Sequence, residues 1–195
     1  MHYFTNSPDL AHEYERVSLQ WEGKTFTFIT DAGVFSKGKL DAGTALLLEA
    51  VGPLSGPCAD LGCGWGPIGI LLASKNAATS FYMVDINERA VELANRNAQV
   101  NGVNNAHAYI GDGLQNAPAN LRTVVSNPPI RIGKQPMYAL LQTAYEKLAS
   151  GGDLYIVIRK QQGAASAKVF LQNLFGTCET IARHSGYHVL KSTKP

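Results

Sequence analysis

The sequence predicts an α/β fold built on a doubly wound, mostly parallel, seven-stranded sheet with helices on both faces. Apolar stretches of strand length alternate with helical patterns between residues 58 and 175, which is the order typical of parallel sheets. A glycine-rich turn joins the first of these strands to the helix that follows it, as in sheets that bind nucleotides at their carboxyl edge. Near the end of the chain, Ser185 and Gly186 separate two strand-like stretches and predict an antiparallel last strand.

An N-terminal β-hairpin is predicted before this core. Apolar and polar residues alternate on both sides of Glu22-Gly23, from residue 17 to residue 30, which is a hairpin signal. The hairpin is placed to serve as a lid or substrate ledge over the core, or to pack as a plain edge element. A glycine-punctuated loop follows it, and then comes an apolar helix that Asp41 or Thr44 is placed to cap.

The remaining elements follow from the same patterns. The predicted order is strand 58–61, a helix from 68, strand 79–84, helix 88–98, strand 106–110, strand 121–126, helix 136–148, strand 154–158, helix 164–174, and strands 179–183 and 187–192. Ser150, Gly151 and Gly152 are predicted to stop the helix that precedes strand 154–158. A chain of this length suits one domain, so we expect a single unit, 1–195, in which residues 1–40 extend a core of residues 41–195.

Composition favours a soluble globular protein. Apolar residues make up 45% of the chain and charged residues 16%. The sequence has neither a run of about twenty apolar residues nor the basic and then apolar start of a signal peptide. We therefore expect a cytoplasmic location and no membrane segment. Cys58, Cys63 and Cys178 lack metal-ligand spacing, so we expect free thiols and no metal site.

Charge is distributed unevenly along the chain. Residues 1–121 hold 7 Lys and Arg against 12 Asp and Glu, a net charge of −5, whereas residues 122–195 hold 10 against 3, a net charge of +7. The basic last third is a candidate surface for a polyanion such as RNA. The alternative is a set of solvated basic side chains that bind nothing, because no dense basic run is present.

The glycine-rich turn carries the first indication of a ligand. Residues 60–69 read Asp-Leu-Gly-Cys-Gly-Trp-Gly-Pro-Ile-Gly, and the last six of them spell the G-x-G-x-x-G fingerprint of nucleotide-binding turns. Glycine accepts a positive φ and lets a ligand approach the backbone, and Pro67 suits the first position of a helix. The free N–H groups at that helix start are therefore expected to face a nucleotide-like ligand.

Acidic residues at strand ends narrow the choice of ligand. Asp85 ends the second core strand about twenty residues after the glycine turn, where a carboxylate meets the two hydroxyls of a ribose. Asp60 precedes the first glycine, and a carboxylate there suits the cationic amino-acid end of S-adenosylmethionine better than a pyrophosphate. Asp112, after the third strand, is a candidate acceptor for the amine of adenine, or else a turn former between two glycines.

The tetrapeptide Asn127-Pro128-Pro129-Ile130 follows the fourth strand and is expected at the same edge of the sheet. Its prolines hold the backbone extended, so that the Asn127 amide and the Pro128 carbonyl are held in place as hydrogen-bond acceptors. Two acceptors on the hydrogens of a planar exocyclic amine draw its lone pair out of conjugation and aim it at an electrophilic methyl group. This is catalysis by positioning and electrostatics. Taken alone, the same tetrapeptide is an ordinary loop.

Together, the glycine turn, Asp85, Asp112 and Asn127-Pro128-Pro129-Ile130 resemble the motifs of class I S-adenosylmethionine-dependent methyltransferases that methylate amines. More narrowly, Gly33-Val34-Phe35-Ser36 with Leu40-Asp41-Ala42-Gly43-Thr44 resembles the catalytic half of the small-subunit ribosomal RNA guanine-N2 methyltransferases, the RsmC-like group. The resemblance covers roughly residues 25–192. It implies a Rossmann-like fold, S-adenosylmethionine as the cofactor, ribosomal RNA as the partner and guanine N2 as the methyl acceptor.

The resemblance also implies roles for individual residues. Cofactor binding is assigned to Asp60, Gly62, Cys63, Gly64, Gly66, Asp85, Ile86, Asp112, Gly113 and Asn127, and catalysis to Asn127, Pro128, Pro129 and Ile130. Contacts with the RNA substrate are expected from Phe35 and Ser36 of the loop. The uneven charge, and not the resemblance, is the basis for expecting phosphate contacts from Arg131, Lys134, Arg159 and Lys160, the basic residues nearest the expected active edge. Many amino methyltransferases carry an aromatic residue where Ile130 stands, and Phe35 is a candidate to stack on the flipped base from the other side of the pocket.

Other functions stay open on the sequence alone. An NAD-dependent oxidoreductase shares the glycine fingerprint but has no use for Asn127-Pro128-Pro129. An enzyme of the same chemistry that acts on protein glutamine or on another nucleic acid shares the tetrapeptide, although glutamine enzymes carry tyrosine where Ile130 stands. A non-catalytic RNA-binding module is a third alternative, and the intact Asp60, Asp85 and Asn127 argue against it.

Overall fold

The computed structural model describes residues 11–32 and 40–195. An antiparallel hairpin comes first, with β1 at Glu15–Trp21 and β2 at Lys24–Thr30. The helices of the described chain are α1 (Ala42–Ala50), α2 (Pro67–Lys75), α3 (Glu88–Val100), α4 (Lys134–Lys147) and α5 (Ala164–Phe175). The strands of the main sheet are β3 (Cys58–Leu61), β4 (Phe81–Asp85), β5 (Ala106–Ile110), β6 (Leu121–Ser126), β7 (Leu148–Arg159), β8 (Glu179–His184) and β9 (Tyr187–Thr193).

Seven strands of the described chain form one sheet in the order β5-β4-β3-β6-β7-β9-β8. Strands β3 to β7 run parallel, and β9 lies antiparallel between β7 and β8. The predicted Rossmann-like, mostly parallel sheet with an antiparallel last strand and an N-terminal hairpin is thereby confirmed. The chain winds one way from β3 to β5 and the other way from β6, and in such sheets ligands bind at the carboxyl edge where the winding reverses.

Helices cover both faces of the sheet. α1, α2 and α3 contribute to one buried apolar cluster, which includes Leu47, Ile70 and Leu93. α4 and α5 contribute to a second cluster, which includes Leu141 and Leu171. The central strands β3 and β6 lie between the two clusters and are almost wholly buried, so their sequences read as short continuous apolar runs. This is why their predicted bounds agree with the structure to the residue.

The junction between α4 and β7 differs from the sequence prediction. The helix ends at Lys147, and Ser150, Gly151 and Gly152 lie inside β7 instead of stopping the helix. That prediction is wrong because the two glycines pair with the far end of the chain. Gly151 donates its N–H to Lys194 O (2.8 Å), and Gly152 O accepts from the Lys194 N–H (2.9 Å). The register between β6 and β7 shifts here and Gly151 has φ +74°, so β7 begins with an irregular, bulged segment.

The hairpin packs on α3 through two asparagines. Asn97 donates an amide hydrogen to Ile29 O (2.9 Å) and accepts from the Ile29 N–H (2.7 Å). Asn101 makes the same pair of bonds with Thr27, at 2.8 and 2.9 Å. The asparagines lie one helical turn apart, and alternate residues of a strand offer their backbone groups to the same side, so the two pairs match in spacing. Of the roles considered for the hairpin, these contacts correspond to edge packing on α3.

Candidate active site

The acidic and amide side chains singled out in the sequence lie along one edge of the sheet. Asp60 is near the end of β3, Asp85 ends β4, Asp112 follows β5 and Asn127 follows β6. The parallel pairing of β3 with β4 and β6, and of β4 with β5, makes these four strand ends neighbours. The predicted convergence of the strand ends is therefore present in the fold.

The glycine turn adopts a backbone that other residues would strain. Gly62, Gly64 and Gly66 have φ of +75°, +55° and +89°, in the region that favours glycine. A Cβ on Gly66 would lie 2.8 Å from Ile70 Cδ1, whereas a Cβ on Gly64 would meet nothing within 4 Å. A Cβ on Gly62 would stand 3.8 Å from Pro129 Cδ. The turn is thus packed against α2 at Gly66, open at Gly64, and adjacent to the Asn-Pro-Pro segment at Gly62.

Asp60 is a fully buried carboxylate with one oxygen engaged. Its Oδ2 accepts from the Gly69 N–H (2.8 Å), and a Cβ on Gly69 would lie 2.6 Å from Met83 Sδ, so only glycine allows this close approach of α2 to the sheet. Oδ1 is buried and has no hydrogen-bond partner among residues 11–32 and 40–195. Burial, reinforced by the charge of Asp85, raises the pKa of Asp60 to about 7. A buried oxygen of this kind calls for a donor, and a cation is the strongest one.

Asp85 bridges β4 and the glycine turn. Its Oδ2 accepts from the Gly64 N–H (2.8 Å) and its Oδ1 from the Asn87 N–H (2.9 Å). Burial raises the pKa of Asp85, although the side chain stays partly exposed to solvent. A carboxylate has about four lone-pair sites, and the backbone N–H groups of Gly64, Ile86 and Asn87 use three of them, so Asp85 retains capacity for a further donor. Ile86 beside it is 43% exposed and offers an apolar surface next to the carboxylate.

Three further residues of the predicted cofactor site differ in what they offer to a ligand. Asp112 is exposed beyond the end of β5. Gly113 is buried with φ +103°, and a Cβ there would lie 2.9 Å from Thr143 Oγ1. Burial, followed by the charges of Asp85 and Asp60, raises the pKa of the Cys63 thiol well above its usual value. Cys63 therefore stays a neutral thiol.

Asn127 is held by the start of α1, a contact that the sequence did not reveal. Its Nδ2 donates to Thr44 Oγ1 (3.0 Å) and to Asp41 Oδ2 (3.2 Å). Of the two candidate caps, Asp41 is the N-cap of α1, and Asn127 joins this cap from 86 residues away. Within the described chain, no residue donates a hydrogen bond to Asn127 Oδ1. The amide oxygen thus remains available as an acceptor.

Residues 25–191 match the family model of the methyltransferase small domain. The chain belongs to this family. The protein is therefore a methyltransferase whose cofactor is S-adenosylmethionine. Membership sets aside the NAD-dependent oxidoreductase that the glycine fingerprint alone left open.

Similar sequences fall into two groups. The methyltransferase is 39% identical to the uncharacterized protein YbxB of Bacillus subtilis, over 99% of this chain and 98% of YbxB. It is 33% identical to the ribosomal RNA small subunit methyltransferase C of Pseudomonas paraeruginosa, over 96% of this chain and 57% of that protein. The chain therefore spans almost all of YbxB but little more than half of the ribosomal RNA enzyme.

Among solved structures, the T. thermophilus 16S rRNA N2 methyltransferase RsmC, in complex with AdoMet and guanosine, superposes with a TM-score of 0.84. The two are 26% identical, over 96% of this chain and 52% of that one. A methyltransferase from Pyrococcus furiosus superposes with a TM-score of 0.67 at 20% identity, which reflects the shared fold. These likenesses agree with the Rossmann-like sheet described above.

Where the structure describes them, the residues predicted to contact substrate follow the Asn-Pro-Pro segment in the chain or lie at the end of the neighbouring strand β7. Arg131 is in the 3₁₀ turn Ile130–Ile132, Lys134 begins α4, and Lys160 begins a second 3₁₀ turn, Lys160–Gln162, directly after β7; all three are exposed. Ile130 packs against the cluster that includes Leu141. Phe35 and Ser36 lie outside the described residues, and their role stays a prediction.

Basic side chains, among them the predicted Arg159 and Lys160, lie around Tyr187 and His188 at the start of β9. The Arg159 guanidinium lies 4.7 Å from the centre of the Tyr187 ring. Burial, followed by the charges of Arg183 and Lys160, lowers the pKa of His188, which indicates that these basic groups lie close together. Tyr187 also packs on α1, because a Cβ on Gly43 would lie 2.6 Å from Tyr187 Cε1. The basic group is thus continuous with the helix that holds Asn127.

Within the described ranges, the structure has neither a candidate metal site nor a candidate membrane span. Among residues 11–32 and 40–195, no three His, Cys, Asp or Glu side chains are grouped so that they could hold a metal ion. In the same part of the chain, no helix combines the length and apolarity that a membrane crossing requires.

Proposed function

We propose that the methyltransferase transfers a methyl group from S-adenosylmethionine to an exocyclic amine, and that this amine is guanine N2 of small-subunit ribosomal RNA. The observation that carries the proposal is the orientation of Asn127. The side chains of Asp41 and Thr44 accept the hydrogens of Asn127 Nδ2. Asn127 Oδ1 is therefore left as an acceptor, and the substrate group that binds to it must be a hydrogen-bond donor such as an amine. The ribosomal RNA target is supported by relatives named for that activity, which align with 96% of this chain.

The chain's own groups fit the cofactor. The buried, unpaired Oδ1 of Asp60 would accept from the ammonium of the methionine part, and Asp85 would accept from the ribose hydroxyls. The open backbone at Gly64 leaves room for a ligand where any side chain would project. Asp112 would accept from the adenine amine, with Ile86 and Gly113 beside the ring. The turn beneath the cofactor would be formed by Gly62, Cys63 and Gly66. Asn127 would border the cofactor site on the side of the substrate.

When bound, S-adenosylmethionine supplies an electrophilic methyl group on a sulfonium. The protein's part is to make the target amine nucleophilic. Asn127 Oδ1 and Pro128 O would accept the two amine hydrogens, which turns the nitrogen lone pair out of the ring system. Pro128 is buried and Pro129 packs near Gly62, so the carbonyl is carried by a restrained segment. Ile130 would give the base an apolar contact, and Phe35 would stack on it from the loop.

Basic side chains next to the segment would hold the RNA backbone. Arg131, Lys134 and Lys160 are exposed at the substrate side of the sheet edge, and the Arg159–Tyr187 stack adds a cation and an aromatic face nearby. Phosphates bind such cations and unpaired bases stack on such rings. Action on ribosomal RNA also agrees with the cytoplasmic location expected from the sequence.

The experiment that tests the proposal identifies the methylated molecule. Purified protein and tritiated S-adenosylmethionine are incubated separately with ribosomal RNA, transfer RNA, DNA and protein from cells that lack the gene. The labelled pool is then digested to nucleosides or amino acids. We expect label in small-subunit ribosomal RNA, as N2-methylguanosine.

Label in N5-methylglutamine or in a methylated adenine would overturn the guanine assignment but keep amine methylation. Label on carbon or on a ribose oxygen would overturn both. The Asn127→Ala variant provides the background rate, because it keeps the carboxylates of the cofactor site and removes the proposed acceptor of the amine.

A further inference from the structure

We propose that Asp41 and Thr44 are positioning residues that determine which end of the Asn127 amide faces the acceptor. This inference rests on the proposed function, because it explains how Asn127 is kept ready for an amine. Neither residue was assigned a part in the reaction from the sequence, where each was a candidate helix cap. Their contacts with Asn127 are what the structure adds.

The direction of the hydrogen bonds begins at Asp41. Its carboxylate accepts from the Gly43 N–H (2.9 Å), the Thr44 N–H (3.2 Å), the Thr44 hydroxyl (2.6 Å) and Asn127 Nδ2 (3.2 Å). A carboxylate offers only acceptors. Four donors therefore converge on it, and a second acceptor such as Asn127 Oδ1 would be repelled from that position.

The hydroxyl of Thr44 imposes the same direction of hydrogen bonding on Asn127. A hydroxyl has one hydrogen, and the hydrogen of Thr44 is directed to Asp41 Oδ2 at 2.6 Å. Only the lone pairs of Thr44 Oγ1 are then available to Asn127, and Asn127 Nδ2 donates to them at 3.0 Å. Both partners of the amide are acceptors, so Nδ2 must face α1 and Oδ1 must face away from it. A single carboxylate thus specifies the orientation of a side chain 86 residues away.

The frame that carries this network is tightly packed. Thr44 is 3% exposed, and Gly43 between the two residues allows Tyr187 of β9 to approach so closely that a Cβ would lie 2.6 Å from its ring. The start of α1 is therefore fixed to the sheet as well as to Asn127. Such outer partners commonly control how precisely a reacting side chain is placed.

The decisive variant is Asp41→Asn, which replaces one carboxylate oxygen by an amide nitrogen, removes the negative charge and keeps the size of the side chain. The new side-chain oxygen can still accept from the first turn, since asparagine is as good an N-cap as aspartate. The new amide nitrogen would meet Asn127 Nδ2, donor against donor, and the Asn127 amide would turn over to present Nδ2 to the substrate. We expect the single-turnover rate of methyl transfer to fall roughly 10- to 100-fold, the range seen when outer hydrogen-bond partners are removed.

Cofactor affinity, the KM for RNA and the melting temperature should stay near wild type, because the cap and the cofactor residues are kept. Thr44→Val removes the second acceptor and should also slow transfer, and Thr44→Ser, which restores the hydroxyl, should restore the rate. The matched control is Asp153→Asn. Asp153 likewise accepts from a threonine hydroxyl, Thr193 Oγ1 at 2.6 Å, but it lies in the middle of β7, six residues before the carboxyl end of the strand at Arg159, so the variant should transfer methyl at the normal rate.

A double-variant cycle separates positioning from a structural role. In an Asn127→Ala background, Asp41→Asn should cause no further loss, because the side chain it orients is gone. An equal loss in both backgrounds, or a normal rate for Asp41→Asn while Asn127→Ala is slow, would overturn the inference and leave the proposed function intact. A normal rate for Asn127→Ala itself would instead overturn the proposed amine activation, and this inference with it.

Discussion

The carboxyl edge of the sheet has a cofactor half, with Asp60 and Asp85, and an acceptor half, with Asn127. The two halves are stabilised by contacts that differ in their separation along the sequence. In the cofactor half, Asp60 is bonded to Gly69, 9 residues away, and Asp85 to Asn87 and Gly64, 2 and 21 residues away. In the acceptor half, Asn127 depends on residues 83 and 86 positions distant. The cofactor half is therefore almost complete within one strand-turn-helix-strand unit. The acceptor half exists only when α1 has docked on the sheet.

Charge divides along the same line. The carboxylates of the cofactor half belong to the part of the chain with a net charge of −5, and Arg131, Lys134 and Lys160 of the acceptor half belong to the part with +7. An acidic site suits a cationic cofactor and a basic site suits an RNA strand. The comparison implies that variants in one half should alter one ligand and spare the other.

The largest expected effect is that of Asn127→Ala on methyl transfer. Loss of one preorganised polar partner of the reacting group should lower the single-turnover rate by roughly a hundred-fold or more. Affinity for S-adenosylhomocysteine should hardly change, because the carboxylates of the cofactor half are untouched. Single-turnover kinetics and calorimetry on the same preparations check both statements. A variant with the wild-type rate would show that Asn127 serves the loop and not the chemistry.

Asp85→Ala should give the opposite pattern. The variant removes the predicted acceptor for the ribose hydroxyls and the partner of the Gly64 N–H. We expect cofactor binding to weaken by about 1.5–3 kcal/mol, the range for hydrogen bonds to a charged group. RNA affinity measured without cofactor should stay unchanged. Unaltered calorimetric affinity for S-adenosylhomocysteine would reject Asp85 as the ribose ligand.

The raised pKa of Asp60 predicts that binding at the cofactor half depends on pH and that binding at the acceptor half does not. Burial raises its pKa from 3.8 to about 7, so the folded protein without cofactor binds this proton more tightly than the unfolded chain does. The contribution of Asp60 to stability is therefore fully present below about pH 4 and is lost as the pH rises through 7.

A cationic amine needs the ionised carboxylate, so affinity for S-adenosylhomocysteine should increase as the pH rises toward 7, by up to about tenfold per pH unit. Calorimetry between about pH 5.5 and 8.5 measures this slope. Asp60→Asn serves as the control, since its amide oxygen can still accept from Gly69 but its side chain does not ionise. The assignment fails if wild type and variant show the same slope.

The difference in contact range also explains what sequence reasoning found. The left-handed glycines at 62, 64 and 66 and the acid at the end of β4 are properties of a local pattern, and the buried strands β3 and β6 are continuous apolar runs. The link from Asp41 to Asn127 has no local pattern, so only the cap of α1 was predicted. The prediction that Gly151 and Gly152 stop a helix is wrong for the same reason, because their partner, Lys194, is near the far end of the chain.

The smallest expected effect concerns the basic side chains of the acceptor half, and salt dependence resolves it better than affinity at one salt concentration. Lys160 is exposed at the carboxyl end of β7, and if it contacts a phosphate, Lys160→Gln should weaken RNA binding a few-fold and reduce the log–log salt slope by roughly 0.7–0.9.

Lys75→Gln is the matched control, because Lys75 ends α2 and pairs with Glu22 of the hairpin turn. It should leave the slope unchanged, and both variants should bind S-adenosylhomocysteine like wild type. Fluorescence anisotropy with a single-stranded RNA at several salt concentrations provides the measurement. Equal slopes for wild type and Lys160→Gln would mean that this lysine is only a solvated surface charge and does not contact a phosphate.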